Sequence, residues 1–158
     1  MANLTTAQLQ TLLPLVKADA TTGPMVTAGD TFSLLAYLNG TSATSAWREA
    51  VPAQNSDEAA VYTTYDSLLQ GKRDSWQIFL MFPRDFSKNK IRAWVTDVWG
   101  AATAASISEG ILQAGTEKAT NAQVLLGGTT PNTGTVAALK RVWSGTVSQQ
   151  DANYLVNN

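Results

Sequence analysis

Apolar positions recur along this chain at helical spacing. Leu9, Leu12, Leu13 and Val16 fall at i, i+3, i+4 and i+7, one face of a helix. Thr5 ahead of them, with Gln8 three residues on, has the form of a capping box, and Leu4 can staple onto Leu9. Pro14 is expected to kink that helix or end it near Leu13. Residues 21–29 read as a loop. Asp30 then caps a short helix through Phe32, Leu35 and Leu38, stopped by Gly40. Residues 41–45 are small and polar. The stretch WREAVP, Trp47 to Pro52, reads as an extended turn, because the residue before a proline avoids the helical region.

From Asn55 the pattern restarts. Asp57 and Glu58 fall in a first helical turn, where the helix dipole favours acids, and Val61, Tyr65, Leu68 and Leu69 make a face that Gly71 ends. A helix over Arg73 to Phe82 stops at Pro83, and Ser87 caps another whose stripe is Ile91, Trp94, Val95, Val98 and Trp99. An alanine-rich segment, 102–126, reads as one long helix ended by Gly127 and Gly128. Residues 135–143 lean to strand, and Ser148 with Asp151 caps a last short helix. The fold class predicted is mainly α. It is one domain, 1–158, of about six or seven helices with a short β segment near the C-terminus. A flexible loop spans 128–135 and a C-terminal arm 146–158.

Composition adds limits. The chain has 158 residues, 44% apolar and only 15% charged. The usual charged share is about a quarter. Weak charge leaves little repulsion between neighbours, which suits a protein inside an assembly. Net charge is −1, so the overall basic footprint of a nucleic-acid binder is missing. There is no Cys and no His, which removes thiol nucleophiles, disulfides, Ser-His-Asp triads and the common zinc ligands. No apolar run approaches the roughly 18 residues that span a bilayer. MANLTTAQLQ has neither the basic nor the apolar region of a secretory signal. A soluble protein made in the cytoplasm, without membrane contact, is expected.

Candidate chemistry is sparse. The acids Asp57, Glu58, Asp66, Asp74, Asp97 and Glu109 stand in no paired acid–base frame, and each is explained by capping or solvation. GGTTPNTG, Gly127 to Gly134, lacks the Lys-Ser/Thr of a phosphate loop. No enzyme and no cofactor are expected. The basic group Arg84, Lys88, Lys90 and Arg92 lies near a helix start and is the candidate contact for DNA or an acidic partner. A solvated face opposite the Ile91, Trp94, Val95 and Val98 stripe is the simpler reading of the same residues. Trp76, Phe79, Phe82, Trp94 and Trp99 could stack on bases, but their helical spacing makes them core. The helix pair flanking Pro83 to Ser87 has helix-turn-helix length, yet its second helix is loaded with tryptophan where a recognition helix exposes polar groups. Val147, Tyr154, Leu155 and Val156 form an apolar group near the C-terminus and are the candidate assembly contact.

Several motifs occur together in order. These are Trp47-Arg48-Glu49-Ala50-Val51-Pro52, then Tyr65, then Gln70-Gly71-Lys72-Arg73-Asp74, then Gly145-Thr146-Val147-Ser148 with Asp151. With them, over residues 40–155, the chain resembles a family of small, mostly helical proteins encoded among the structural genes of tailed bacteriophages. The resemblance implies a virion structural protein, carries no catalytic signature, and implies assembly with copies of itself and with portal, capsid or tail proteins. A head–tail connector (neck or adaptor) subunit in a ring between portal and tail is the expected role. A capsid decoration or cement protein and a small nucleic-acid-binding module are the alternatives. The lumen of a connector would allow non-specific contact with packaged DNA.

Overall fold

The computed structural model describes residues 3–158. The described residues are 55% helical and hold ten helices. In order they are α1 (Thr6–Ala18), α2 (Thr22–Ala28), α3 (Thr31–Asn39), β1 (Thr41–Trp47), α4 (Ala53–Glu58), α5 (Tyr62–Ser67), α6 (Gln70–Leu80) and α7 (Asn89–Trp99). There follow α8 (Ile107–Ala114), β2 (Thr116–Thr120), α9 (Asn121–Leu126) and β3 (Gly128–Thr129). The last elements are β4 (Asn132–Thr133), β5 (Val136–Ala137), β6 (Lys140–Arg141) and α10 (Gln149–Asn157). The mainly α class with short β segments toward the C-terminus is as expected, with more and shorter helices. β1 pairs with β2, and β4 with β5 in an antiparallel hairpin.

Contacts group the chain into two compact units. The first comprises residues up to Thr44, Lys118–Thr129 and Arg141–Asn158. Its core is aliphatic: Leu12 and Val16 from α1, Leu34 and Leu38 from α3, and Leu155 from α10 are fully buried. Each pair lies four residues apart, so one face of each helix turns inward. Local hydrogen bonds fix where the helices start. In the boxes opening α1, α9 and α10, the cap hydroxyl of Thr5, Thr120 or Ser148 accepts a backbone N–H, and the side chain three residues on answers it. The Asn39 amide clamps Val147, donating to its carbonyl at 2.9 Å and accepting its N–H at 2.8 Å.

Several expectations change here. Residues 21–29 hold α2 rather than a loop, because the Asp19 carboxylate accepts the Thr21 and Thr22 N–H groups and starts a new helix. α1 continues through Pro14 to Ala18. The inward face of α3 is Leu34 and Leu38, which leaves Phe32 exposed. The 146–158 segment is not an unattached arm: Val147 and Leu155 are buried in the core, and Tyr154 and Val156 pack against it.

The second unit comprises Ser45–Glu117 and Thr130–Lys140. Its core is aromatic, built on Trp47, Trp76, Phe79 and Phe86. Trp76 and Phe79 stack with ring centres 4.8 Å apart, and Trp94 meets Phe79 edge-on at 5.3 Å. The alanine-rich segment is not one helix. α8 ends at Gly115, where any Cβ would lie 2.2 Å from the Phe86 ring, and the chain leaves as β2. The face expected over 55–69 is divided between α4 and α5, and Gly71 lies inside α6 instead of ending a helix.

Residues 130–135, expected to be flexible, are pinned within this unit. Trp47 donates its indole N–H to the Pro131 carbonyl at 3.2 Å. Thr135 donates its hydroxyl to Glu109 at 2.7 Å and its N–H to the Ala102 carbonyl at 3.0 Å. Gly134 has φ +60°, and a Cβ there would sit 1.9 Å from the Ala102 oxygen, so both conformation and space require glycine.

Candidate functional site

α6 and α7 form the most distinctive surface of the second unit. α6 turns Trp76 and Phe79 inward, so its outward face carries Gln70, Asp74, Gln77 and Ile78. α7 runs antiparallel to it: Phe79, late in α6, meets Trp94, and Trp76, earlier, meets Trp99 at 5.2 Å. The Trp94 indole N–H donates to the Ser75 hydroxyl at 2.6 Å, locking the pair. Leu69 and Phe82 bracket α6, roughly 20 Å apart along its axis at 1.5 Å per residue.

Each end of this hairpin exposes large apolar side chains. At the C-terminal end of α6 and just past it, Ile78, Met81 and Phe82 are 51%, 66% and 64% exposed. Near its start, Leu69, Tyr62 and Val61 are 76%, 58% and 44% exposed. Tyr62 donates its hydroxyl to Asp57 at 2.7 Å, and this bond raises its pKa above the ordinary phenol value. Between the ends lies an open cleft of about 420 Å³ along α6, lined by Tyr65, Gln70, Arg73, Asp74, Gln77 and Ile78. Its polar groups bond one another. Gln70 donates to Asp74 at 2.6 Å, Arg73 to Gln70 at 2.8 Å, and Gln77 to the Tyr65 oxygen at 2.9 Å.

The four expected basic residues do not act together. Arg92 is 1% exposed. Its guanidinium lies 4.8 Å over the Trp47 ring and donates to the Phe86 carbonyl at 2.6 Å and the Thr133 hydroxyl at 2.9 Å. Burial lowers its pKa, with Asp85 opposing that shift. This corrects its reading as a surface contact: it is an internal tie between α7 and β4. Arg84 lies 4.9 Å over Trp94 and 5.1 Å over Phe79, and donates to the carbonyls of Ile78 and Phe79. It thereby caps the C-terminal end of α6, and burial lowers its pKa. Lys88 is exposed and pairs with Asp85 at 3.7 Å, and Lys90 is exposed. A phosphate contact thus retains two lysines, where affinity grows with the number of phosphates neutralised.

The aromatic set divides as well. Trp76 and Phe79 are core, Trp94 and Trp99 pack against it half-buried, and Phe82 is exposed, against expectation. The helix ends before Phe82, so the spacing that buries Phe79 no longer governs it. The C-terminal group Val147, Tyr154, Leu155 and Val156 belongs to the first unit's core, as above. The exposed apolar ends escaped sequence reading because an apolar side chain at helical spacing reads as core. No helix among the described residues is long and apolar enough to cross a membrane. No family model matches the chain, and no curated protein and no solved structure matches it at significant similarity.

Proposed function

We propose that this chain is a structural subunit of a tailed-bacteriophage particle, without catalytic activity, and that it serves as a head–tail connector subunit docking in a ring between portal and tail. The observation that carries this reading is the pair of exposed apolar ends on the α6–α7 hairpin. Clustered large apolar side chains on a surface mark sites of protein–protein contact. The motifs shared with the phage family support it in another way, because each one is a joint of the fold. Val51 of WREAVP exchanges both backbone hydrogen bonds with Arg84 at 2.9 Å. Gln70 to Asp74 form the first turn of α6, and Ser148 with Asp151 caps α10. Such motifs preserve a shape that partners fit, rather than a reaction.

The test is the number of copies in purified particles of the phage that encodes the chain, by quantitative mass spectrometry. A single ring's worth is the expected result. Hundreds of copies would transfer the chain to the capsid-decoration role, and absence from particles refutes both. Contact with packaged DNA is confined in this reading to Lys88 and Lys90. The isolated protein is therefore expected to pass unretained over immobilised DNA at moderate salt.

A further inference from the structure

The two apolar ends of the α6–α7 hairpin differ in charge. Around Val61, Tyr62 and Leu69 stand Asp57, Glu58, Asp66 and Asp74. Asp97 joins them near the end of α7, because Trp99 packs on Tyr65 at 6.2 Å. Lys72 and Arg73 oppose these five acids. Around Ile78, Met81 and Phe82 stand Arg84, Lys88 and Lys90, opposed by Asp85 and by Glu49. Glu49 is placed there by its neighbours: Arg48 accepts the Phe86 N–H, and Val51 pairs with Arg84. One end is thus apolar with an acidic rim, the other apolar with a basic rim.

We infer that these ends are the two halves of one contact, in which the acidic end of one copy seats the basic end of the next. This partner assignment rests on the assembly role proposed above. A two-fold contact centred on either end would set that end against itself and bring like charges together, which costs free energy. Pairing unlike ends removes apolar surface from water at the centre and matches charge at the rim. Asp66, Asp74, Lys88 and Lys90 are exposed, so these rim groups orient the contact more than they strengthen it, and salt screens them. Where a single pair of these unlike patches joins two copies, the contact is head-to-tail. Such contacts propagate into a ring or an open filament rather than stopping at a dimer.

Sedimentation velocity on the full chain tests this across protein and salt concentration, with two double variants. Asp66→Lys with Leu69→Gln disables the acidic end, and Phe82→Ser with Lys90→Glu disables the basic end. The unmodified chain is expected to form species larger than dimers at low salt and to lose them as salt rises. Each variant alone is expected to weaken self-association by at least about tenfold. Mixed, the two are expected to form a one-to-one heterodimer and nothing larger, since each retains the end that the other lacks. A chain that stays monomeric at low salt to its solubility limit overturns the inference. So do variants that still self-associate, or a mixture without heterodimer. All four positions are exposed, and circular dichroism checks the fold. A second pair, Tyr62→Ser and Met81→Gln, repeats the test should either double variant misfold. Absence from phage particles would refute the assembly role while leaving the mixing result intact. A monomeric chain found in particles would refute the head-to-tail contact alone.

Discussion

The two units of this chain use charge in opposite ways. The first holds three of the eleven basic and three of the twelve acidic residues: Lys17, Lys118, Arg141, Asp19, Asp30 and Asp151. The second holds the other eight and nine. In the first unit every acid opens a helix, accepting backbone N–H groups near its own position. Its stability comes from aliphatic packing and correct helix starts. In the second unit two arginines lie over aromatic rings inside or beside the core, and most of the remaining charges stand toward the two ends of one hairpin. Charge in the first unit is local punctuation. In the second it shapes both core and surface.

Removing residues 146–158 is expected to have the largest effect on this contrast. It strips Val147 and Leu155 from the first unit's core and removes the Asn39 clamp. Hydrogen exchange should show the α1 and α3 amides losing protection. If they keep it, the aliphatic core does not depend on α10, and the description of the first unit fails. Next in size are Phe79→Ala in the second unit, expected to cost about 3–5 kcal/mol, and Leu38→Ala in the first, about 2–5 kcal/mol. Chemical denaturation measures both. Tryptophan emission sharpens the comparison, because Trp47, Trp76, Trp94 and Trp99 report on the second unit and Trp143 on the first.

Arg92→Ala follows, at about 3 kcal/mol, because it leaves the buried Phe86 carbonyl and the Thr133 hydroxyl without their donor. Its characteristic readout is faster hydrogen exchange over β4 and β5. Unchanged exchange there would remove Arg92 from its role as a tie. The smallest effect concerns acid. Backbone N–H groups of Thr22 and Thr21 hold the Asp19 carboxyl below its ordinary value of 3.8, and the Ser33 hydroxyl and N–H do the same for Asp30. A lowered folded-state pKa means the stabilisation is present above the unfolded value and is lost as pH falls through the folded one. The first unit should therefore lose stability below pH 3.8, and Asp19→Asn should flatten that fall. An unaltered acid titration would separate the cap from stability.

Local signals in the sequence carried much of this fold. Thr5 with Gln8, Asp30, and Ser148 with Asp151 marked helix starts that the structure contains, since a cap is decided within four residues. The α6–α7 hairpin was legible from Trp76, Phe79, Ile91, Val95 and Val98 on inward faces. What failed depended on distant neighbours. Nothing within 102–126 announces that the Phe86 ring covers Gly115 and that the helix must stop there. Residues 41–45 form half of a ladder whose other half lies far along the chain. Arg92 had a readable clue: with Val95 and Trp99 it falls at i, i+3 and i+7, on the inward side of α7. Its charge masked that spacing. The candidate surface was half visible: its basic residues stand out in the sequence, while the helical spacing of Phe82 reads as core and nothing local marks Ile78 and Met81 as exposed.

The division of the chain into interleaved segments bears on its synthesis. The first unit draws on residues up to Thr44, then Lys118–Thr129, then Arg141–Asn158, while the second is complete at Lys140. A ribosome adds about 5–20 residues per second and releases the N-terminal part first. α1 to α3 therefore emerge early, yet wait for α10 before Leu12, Leu34 and Leu155 can close over one another. The aromatic unit can finish while the aliphatic one is still open. A product stalled before α10 would then present an unfinished aliphatic face, and chaperone capture of nascent chains should fall away only after α10 has left the exit tunnel.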